Sequence, residues 1–345
     1  MKYTYLILFG ILSISFVTYG QNKNSGSLDP LSYFEVNPYL ESTPILSGGD
    51  AADDICIWVT NSIDVPIYVV GTDKKRGLEI YNQKGQRVFD APFGRINNID
   101  IWDSPKGPVI VGTNRSFNSL DFYKLNTNDN GSLELLNRYE TGLSDVYGVS
   151  FYLKSQTKPE VFLSDKKGRV KRYLVEMIDD FVSVKPLGDF KFRSTVEGIE
   201  GDPYYRRVYI AEEDKGLWYI DFSEEKPRRI KVLKTDKKIL VADLEGLALA
   251  DLGNGKGYLI QSVQGNNSYA LINRETLTLH AIFKIKSKDK IDGAEETDGL
   301  EVSTHPRFPV LIVQDGFNTG ENQNFKWVNW NDILEKSINT DEVSN

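Results

Sequence analysis

The chain has 345 residues, 40% hydrophobic and 26% charged, with a formal net charge of −8 at neutral pH. That length accommodates one large domain or two ordinary ones, and the acidic balance disfavours a nucleic-acid partner. A single cysteine, Cys56 between Ile55 and Ile57, excludes an internal disulfide framework and a multi-cysteine metal site, and reads as a small buried apolar residue.

In chain order, the first element is a leader. Lys2 precedes an apolar run from Tyr5 to Val17, followed by small and polar residues. This is the pattern of a secretory signal peptide over 1–20, with 21–27 as a short linker. The run is too short for a comfortable transmembrane helix, so the protein is expected to be exported, secreted or periplasmic, with no membrane partner.

From Ile67 onward one pattern recurs: a β-branched or aromatic run, a polar turn, then a second apolar run. The copies are IYVVGTDKKRGLEIY, VIVGTNRSFNSLDFY, VFLSDKKGRVKRYLV, VYIAEEDKGLWYIDF and YLIQSVQGNNSYALI, with a sixth beginning VLIVQDGFN at Val310. The spacing of roughly 40–55 residues, with several short strands per unit, predicts an all-β six-bladed β-propeller over 28–338. The segment before Asp50 is expected to supply a strand that closes the last blade. Only VNWNDILEKSI, near the end, has room for a short helix.

Carboxylates gather beside glycines at the ends of these runs: Asp50, Asp53 and Asp54; Glu197, Glu200 and Asp202; Glu212, Glu213 and Asp214; Asp243 and Glu245; Asp292, Glu295, Glu296, Asp298 and Glu301; and Asp315 near Asn318. Solvated turns account for any one cluster. Recurrence at similar blade positions favours coordination of a hard cation such as calcium, which takes six to eight oxygen ligands. Asp243 and Glu245, two apart in an apolar run, then share a cation instead of repelling. The two histidines, His280 and His305, are too few for a conventional zinc or copper site. Basic residues interleave in the same loops: Lys74, Lys75, Arg76, Arg95, Arg115, Lys166 and Lys167. Bases and acids on converging loops point to an anionic substrate bridged by metal ions, with phosphate the best fit. A propeller lactonase or esterase with an axial calcium, and a non-catalytic binding propeller, are the competing readings.

The stretches GDAADDICIW, GTDKKRGLEIY, GRINNIDI, DVYGVSFY, VEGIEGDPYYRRVYIAEEDKGLW, DLEGLALA, GKGYLIQSVQGNNSYAL and IDGAEETDGLEV, with the NQNFKWVNW segment, run in order from Gly48 to Trp330. Together they resemble the β-propeller phytases, alkaline calcium-dependent enzymes of the 3-phytase type. The resemblance implies a phosphoric monoester hydrolase acting on myo-inositol hexakisphosphate, as its calcium complex, through attack of a metal-bound water. It implies several calcium ions, some structural and some catalytic, in a protein expected to be monomeric. Carried over by residue, Lys74, Arg115, Tyr147, Glu197, Asp243 and Glu245 are the expected catalytic set. Lys74, Lys75, Asn97, Asn98, Asp100, Arg115, Lys166 and Glu213 are expected to bind substrate. Asp53, Tyr147, Glu197, Asp243, Glu245 and Gln264 are expected metal ligands of the cleavage site, with Asp54, Asp292, Asp298 and Asn318 near structural calcium. Two departures stand out: Ile55 replaces the family proline after Asp54, and Glu296 replaces an aspartate before Thr297.

Overall fold

The structure is a computed structural model describing residues 31–127 and 131–339. The expected signal peptide and linker lie outside the described residues. Six antiparallel sheets follow one another along the chain. Blade 1 comprises Ala52–Trp58, Tyr68–Asp73, Gly77–Asn82 and Arg87–Ala91; blade 2 comprises Ile96–Ser104, Gly107–Asn114, Ser119–Asn126 and Ser132–Glu140. Blade 3 comprises Val146–Tyr152, Glu160–Asp165, Arg169–Ile178 and Phe181–Lys191; blade 4 comprises Val196–Asp202, Arg207–Glu212, Gly216–Asp221 and Arg228–Lys231. Blade 5 comprises Leu244–Asp251, Gly257–Val263, Ser268–Asn273 and Leu279–Ile285; blade 6 comprises Leu300–Ser303, Val310–Asp315 and Asn324–Asn329. The first strand of each blade packs on the first strand of the next, and blade 6 packs back on blade 1, so the sheets close a six-bladed ring.

The expected closing strand is present. Leu40–Glu41 pairs antiparallel with Asn324–Asn329 as the fourth strand of blade 6. The sequence gave no sign of a second addition: Ser32–Val36 lies parallel to Leu279–Ile285 as a fifth strand of blade 5. The C-terminal helix, Trp330–Asn339, sends Trp330 and Ile333 into the core between blades 5 and 6.

A sheet facing neighbours on both sides buries both faces, so its central strands lose the alternation of a half-exposed sheet. The second strands accordingly read as unbroken apolar runs and are buried at nearly every position. Six hydrophobic clusters result, one between each pair of adjacent blades. Cys56 is a free buried thiol in the cluster between blades 1 and 2, as expected.

The feature that builds the axis is a repeated irregularity. In blades 1 to 5 the register of the first strand slips at one place, between Ala52 and Ile55, Ile96 and Ile99, Val146 and Val149, Val196 and Ile199, and Leu244 and Leu247. A bulge re-aims the residues it leaves unpaired. The pairs so released are Asp53-Asp54, Asn97-Asn98, Tyr147-Gly148, Glu197-Gly198 and Glu245-Gly246, and Asp298-Gly299 precedes the first strand of blade 6 in the same relation. The glycines permit close approach of neighbouring blades. A Cβ on Gly148 would stand 1.8 Å from the Glu197 carbonyl oxygen, and one on Gly198 would stand 2.2 Å from that of Glu245.

Candidate active site on the propeller axis

The bulges place one side chain from each blade around the axis: Asp53, Asn97, Tyr147, Glu197, Glu245 and Asp298. All but Tyr147 are almost fully buried beneath a polar cavity of about 740 Å³. Above this ring, the first residue of each hairpin tip adds Lys74, Arg115, Lys166, Glu213 and Gln264 from blades 1 to 5. Blades 1 to 3 therefore contribute cations, while blades 4 and 5 contribute an acid and an amide.

Lys74 is the hub of one wall. Its Nζ lies 2.7 Å from Asp50 Oδ1, 3.2 Å from Asp53 Oδ2 and 3.1 Å from Asp298 Oδ2. Burial alone would lower the Lys74 ammonium, but the surrounding carboxylates of Asp53, Asp298 and Asp50 outweigh it and hold it above its ordinary value. Gln264 Nε2 donates to Asp298 Oδ1 across 2.6 Å. On the neighbouring blade, Arg115 Nε and Nη2 both donate to Asp145 Oδ1, at 3.0 and 2.8 Å, and Nη1 reaches Asn97 Oδ1 at 3.2 Å. Tyr147 lies between two cations, with Lys166 Nζ 4.3 Å and the Arg115 guanidinium carbon 5.8 Å from its ring centre.

Between these walls the acids crowd without enough cations. Carboxylate oxygens of Glu197, Glu213 and Glu245 all lie within 4.8 Å of one another. Glu245 Oε2 and Asp53 Oδ1 are buried with no hydrogen-bond partner. Burial, then the Glu197 charge, pushes the Glu245 carboxyl well above the usual carboxylate range. Burial raises Asp53 too; Lys74 opposes this and Glu197 adds to it. Burial followed by the charges of Glu197 and Asp243 moves Glu213 up to about 8, and burial followed by Asp53 moves Asp298 up to about 7. Unpaired buried carboxylates are costly, and their cost vanishes when a cation joins them.

The donor set is all oxygen, and among the described residues no histidine or cysteine lines the cavity. Glu197, Glu213 and Glu245 can hold a hard cation, with Asp53, Asp243, Gln264 and Tyr147 beside them. Both histidines sit elsewhere: His280 packs its ring on Tyr258, and His305 lies against Asn61.

Several expected site residues fall outside this group. Lys75 is exposed and donates to Gly48 O at 2.7 Å. Asn98 is buried in the wall, accepting from Asn97 Nδ2 at 2.9 Å. Asp100 lies deeper on its strand, where Oδ2 accepts from Phe151 N at 2.6 Å and Ser150 Oγ at 3.0 Å. Asp54 points away from the cavity, with Oδ2 accepting from Ile99 N at 3.0 Å. Asp292 and Asn318 line a separate peripheral hollow on blade 6, where Asp292 pairs with the buried Lys326. Asp298, grouped with them in the sequence reading, belongs instead to the axial ring. Asp243 lies just ahead of the strand that begins at Leu244, and both it and Glu245 face the cavity.

The sequence reading placed Asp50 only within a cation-coordinating cluster and gave Asp145 no role; Asp50 pairs with Lys74 and Asp145 anchors Arg115. Two other acids of the clusters have structural partners. Asp202 forms a buried pair with Arg274, and Glu212 accepts from Trp218 Nε1 at 2.9 Å.

The family model described as Phytase matches residues 9–345. The chain is 35% identical to the 3-phytase of Bacillus subtilis (strain 168), over 88% of this chain and 85% of that relative.

Proposed function

The chain belongs to the phytase family, and on that premise we propose that it is a calcium-dependent enzyme that removes phosphate from myo-inositol hexakisphosphate at the axial cavity. The phytase-type hydrolase activity follows from family membership and from the 3-phytase relative. The observation that carries the calcium reading is the set of buried, unpartnered carboxylate oxygens on Glu245 and Asp53 beside the Glu197–Glu213–Glu245 cluster.

Those acids, with Asp243, Gln264 and Tyr147, would hold the ions. Calcium bound there supplies positive charge against the phosphoryl oxygens and acidifies water for attack on phosphorus. The protein's own groups do the rest. Lys74, already surrounded by acids, offers its ammonium to a phosphoryl oxygen when cations take over its carboxylate partners. Arg115, clamped by Asp145 and Asn97, presents its remaining N–H groups in a fixed orientation, and preorganised donors of this kind favour the charge of the transition state. Lys166, across the Tyr147 ring, holds a neighbouring phosphate of the same inositol. Asp292 and Asn318, remote from the axis, are assigned to a structural ion.

We extend the proposal to export. The leader over 1–20 directs the chain out of the cytoplasm, and the propeller over 28–338 acts there as a monomer on the calcium complex of phytate. Phosphate release from phytate, with calcium present and with calcium chelated, tests the central claim. Equal rates under both conditions would reject calcium dependence.

A further inference from the structure

We propose that a cationic stripe, running from Lys166 over the rim between blades 3 and 4 onto the outer strand of blade 4, captures phosphorylated substrate outside the cavity and steers it inward. The inference rests on the phytase reading and adds a binding surface to it.

The need for such a path comes from the cavity itself. Seven carboxylates and two ammonium groups line it, so apart from bound calcium the lining offers an incoming polyanion fixed positive charge at Lys74 and Lys166 alone. The basic sector is continuous with one wall only. Lys166 opens onto the cavity, and Lys167 follows it, exposed, at the same hairpin tip. Lys191 reaches the Lys167 carbonyl oxygen, and Arg193 lies two residues beyond Lys191. On blade 4 the hairpin tip turns Glu213 into the cavity, while Lys215 lies on the outer side, its carbonyl oxygen 3.0 Å from Lys231 Nζ.

Beyond Lys231 the stripe broadens. Residues 226–238 carry seven Lys or Arg against one acid, in a chain of net charge −8. That acid, Asp236, is spent on the backbone amides of Lys238 and Ile239, at 2.6 and 2.7 Å.

Lys215 pairs with Asp214 and Arg228 lies 3.8 Å from Asp221, but two features show that the stripe as a whole carries excess positive charge. Arg169 and Lys191 stand directly opposite each other in the antiparallel pair of blade 3. Opposed like charges destabilise a sheet. Lys231 is lowered by burial and by the charges of Lys234, Arg193 and Lys215, against the partial relief of Glu212. The nearby acids are already engaged: Glu212 with the Arg193 and Ser194 amides and Trp218, and Asp214 with Lys215 and Ser194. A surface that repels itself and leads to a phosphate-binding wall fits a freely diffusing, multiply phosphorylated ester.

The test is a triple variant, Lys191→Gln, Arg193→Gln and Lys215→Gln, beside a control triple, Lys84→Gln, Lys106→Gln and Lys154→Gln. Both are assayed on phytate in calcium buffer with melting temperature recorded. Steering is screened over a Debye length, so the stripe variant should lose about fivefold or more in kcat/KM at about 0.01 M ionic strength and less than about twofold near 1 M. Its kcat and melting temperature should match wild type, and the control triple should lose nothing comparable. An equal loss in the control, a loss that persists at high salt, or a fall in kcat would overturn the proposal. So would unchanged phytate kinetics combined with lost retention on a heparin column, which would make the stripe a docking surface for an anionic polymer. Wild-type turnover of phytate, measured in the same series, tests the activity separately.

Discussion

Asn97 on blade 2 donates from Nδ2 to Glu197 Oε1 on blade 4 across 3.0 Å, although 100 residues separate them. The bond skips blade 3, so the buried carboxylate of Glu197 is oriented from a blade two positions away. Asn97 Oδ1 in turn accepts from Arg115, which links the acid cluster to that guanidinium. The site is therefore one connected network, and its parts should fail together.

Glu245→Gln removes one charge at the most crowded point of the cluster while keeping its shape. We expect kcat to fall by roughly a hundredfold or more, the scale seen when a preorganised electrostatic group is removed. Steady-state phytate kinetics decide it, and a variant within about threefold of wild type would reject the site.

Arg115→Ala should lower kcat/KM by about tenfold to a hundredfold through loss of a charge-assisted contact to phosphate. Asp145→Asn leaves Arg115 in place but weakens the clamp on Nε and Nη2. A smaller loss, carried mostly by KM, is expected. Comparing kcat and KM for the two variants separates contact from positioning.

Chelation of calcium should lower both activity and melting temperature, because ions that bind only the native state stabilise it by mass action. Thermal denaturation followed across a calcium titration reads this directly. A melting curve indifferent to calcium would count against bound ions of any role.

Asp298 and Glu213 carry native carboxyl groups raised to about 7 and about 8. A group raised on folding contributes stability that is complete below its unfolded value, near 4, and disappears as pH climbs through the native value. The calcium-free protein should therefore lose stability between roughly pH 5 and pH 8 as these acids ionise. Metal binding displaces the same protons, so apparent calcium affinity should rise across that interval. Melting temperatures with and without calcium, taken at several pH values, should diverge as pH increases.

Gly198→Ala places a Cβ 2.2 Å from the Glu245 carbonyl oxygen. Backbone must move, at a cost of about 3 kcal/mol, and the Glu197 and Glu245 side chains move with it. Denaturant unfolding should show the lost stability, and activity should fall even where the variant remains folded.

Much of this was legible before the coordinates. The buried second strands announce themselves as runs such as VVGT and VFLS, because a strand covered on both faces needs no polar alternation. The propeller count follows from six such runs. Tyr147, Glu197, Glu245 and Asp298 were visible as acids or an aromatic before glycine, though without the bulge geometry the reason for that glycine was hidden. The parallel fifth strand at Ser32–Val36 depends on a pairing some 250 residues distant, which local pattern does not encode. The Asp145 pairing with Arg115 depends on how blades 2 and 3 converge, while Asp50 meets Lys74 through the register of one hairpin in blade 1, where Ala52 stands opposite Asp73. Asp100 and Asp54 were placed by motif, near the phosphate-contacting bases and near structural calcium respectively; Asp100 Oδ2 accepts from the Phe151 amide and Asp54 Oδ2 from the Ile99 amide.

Leu40–Glu41 completes a sheet whose other strands lie near the opposite end of the polypeptide. The ring thus has a clasp made of an early and a late segment of the chain. A nascent chain still attached to the ribosome, with its final blade not yet made, has nothing for that clasp to fasten to. Closure of the circle must therefore wait until the last blade has been made.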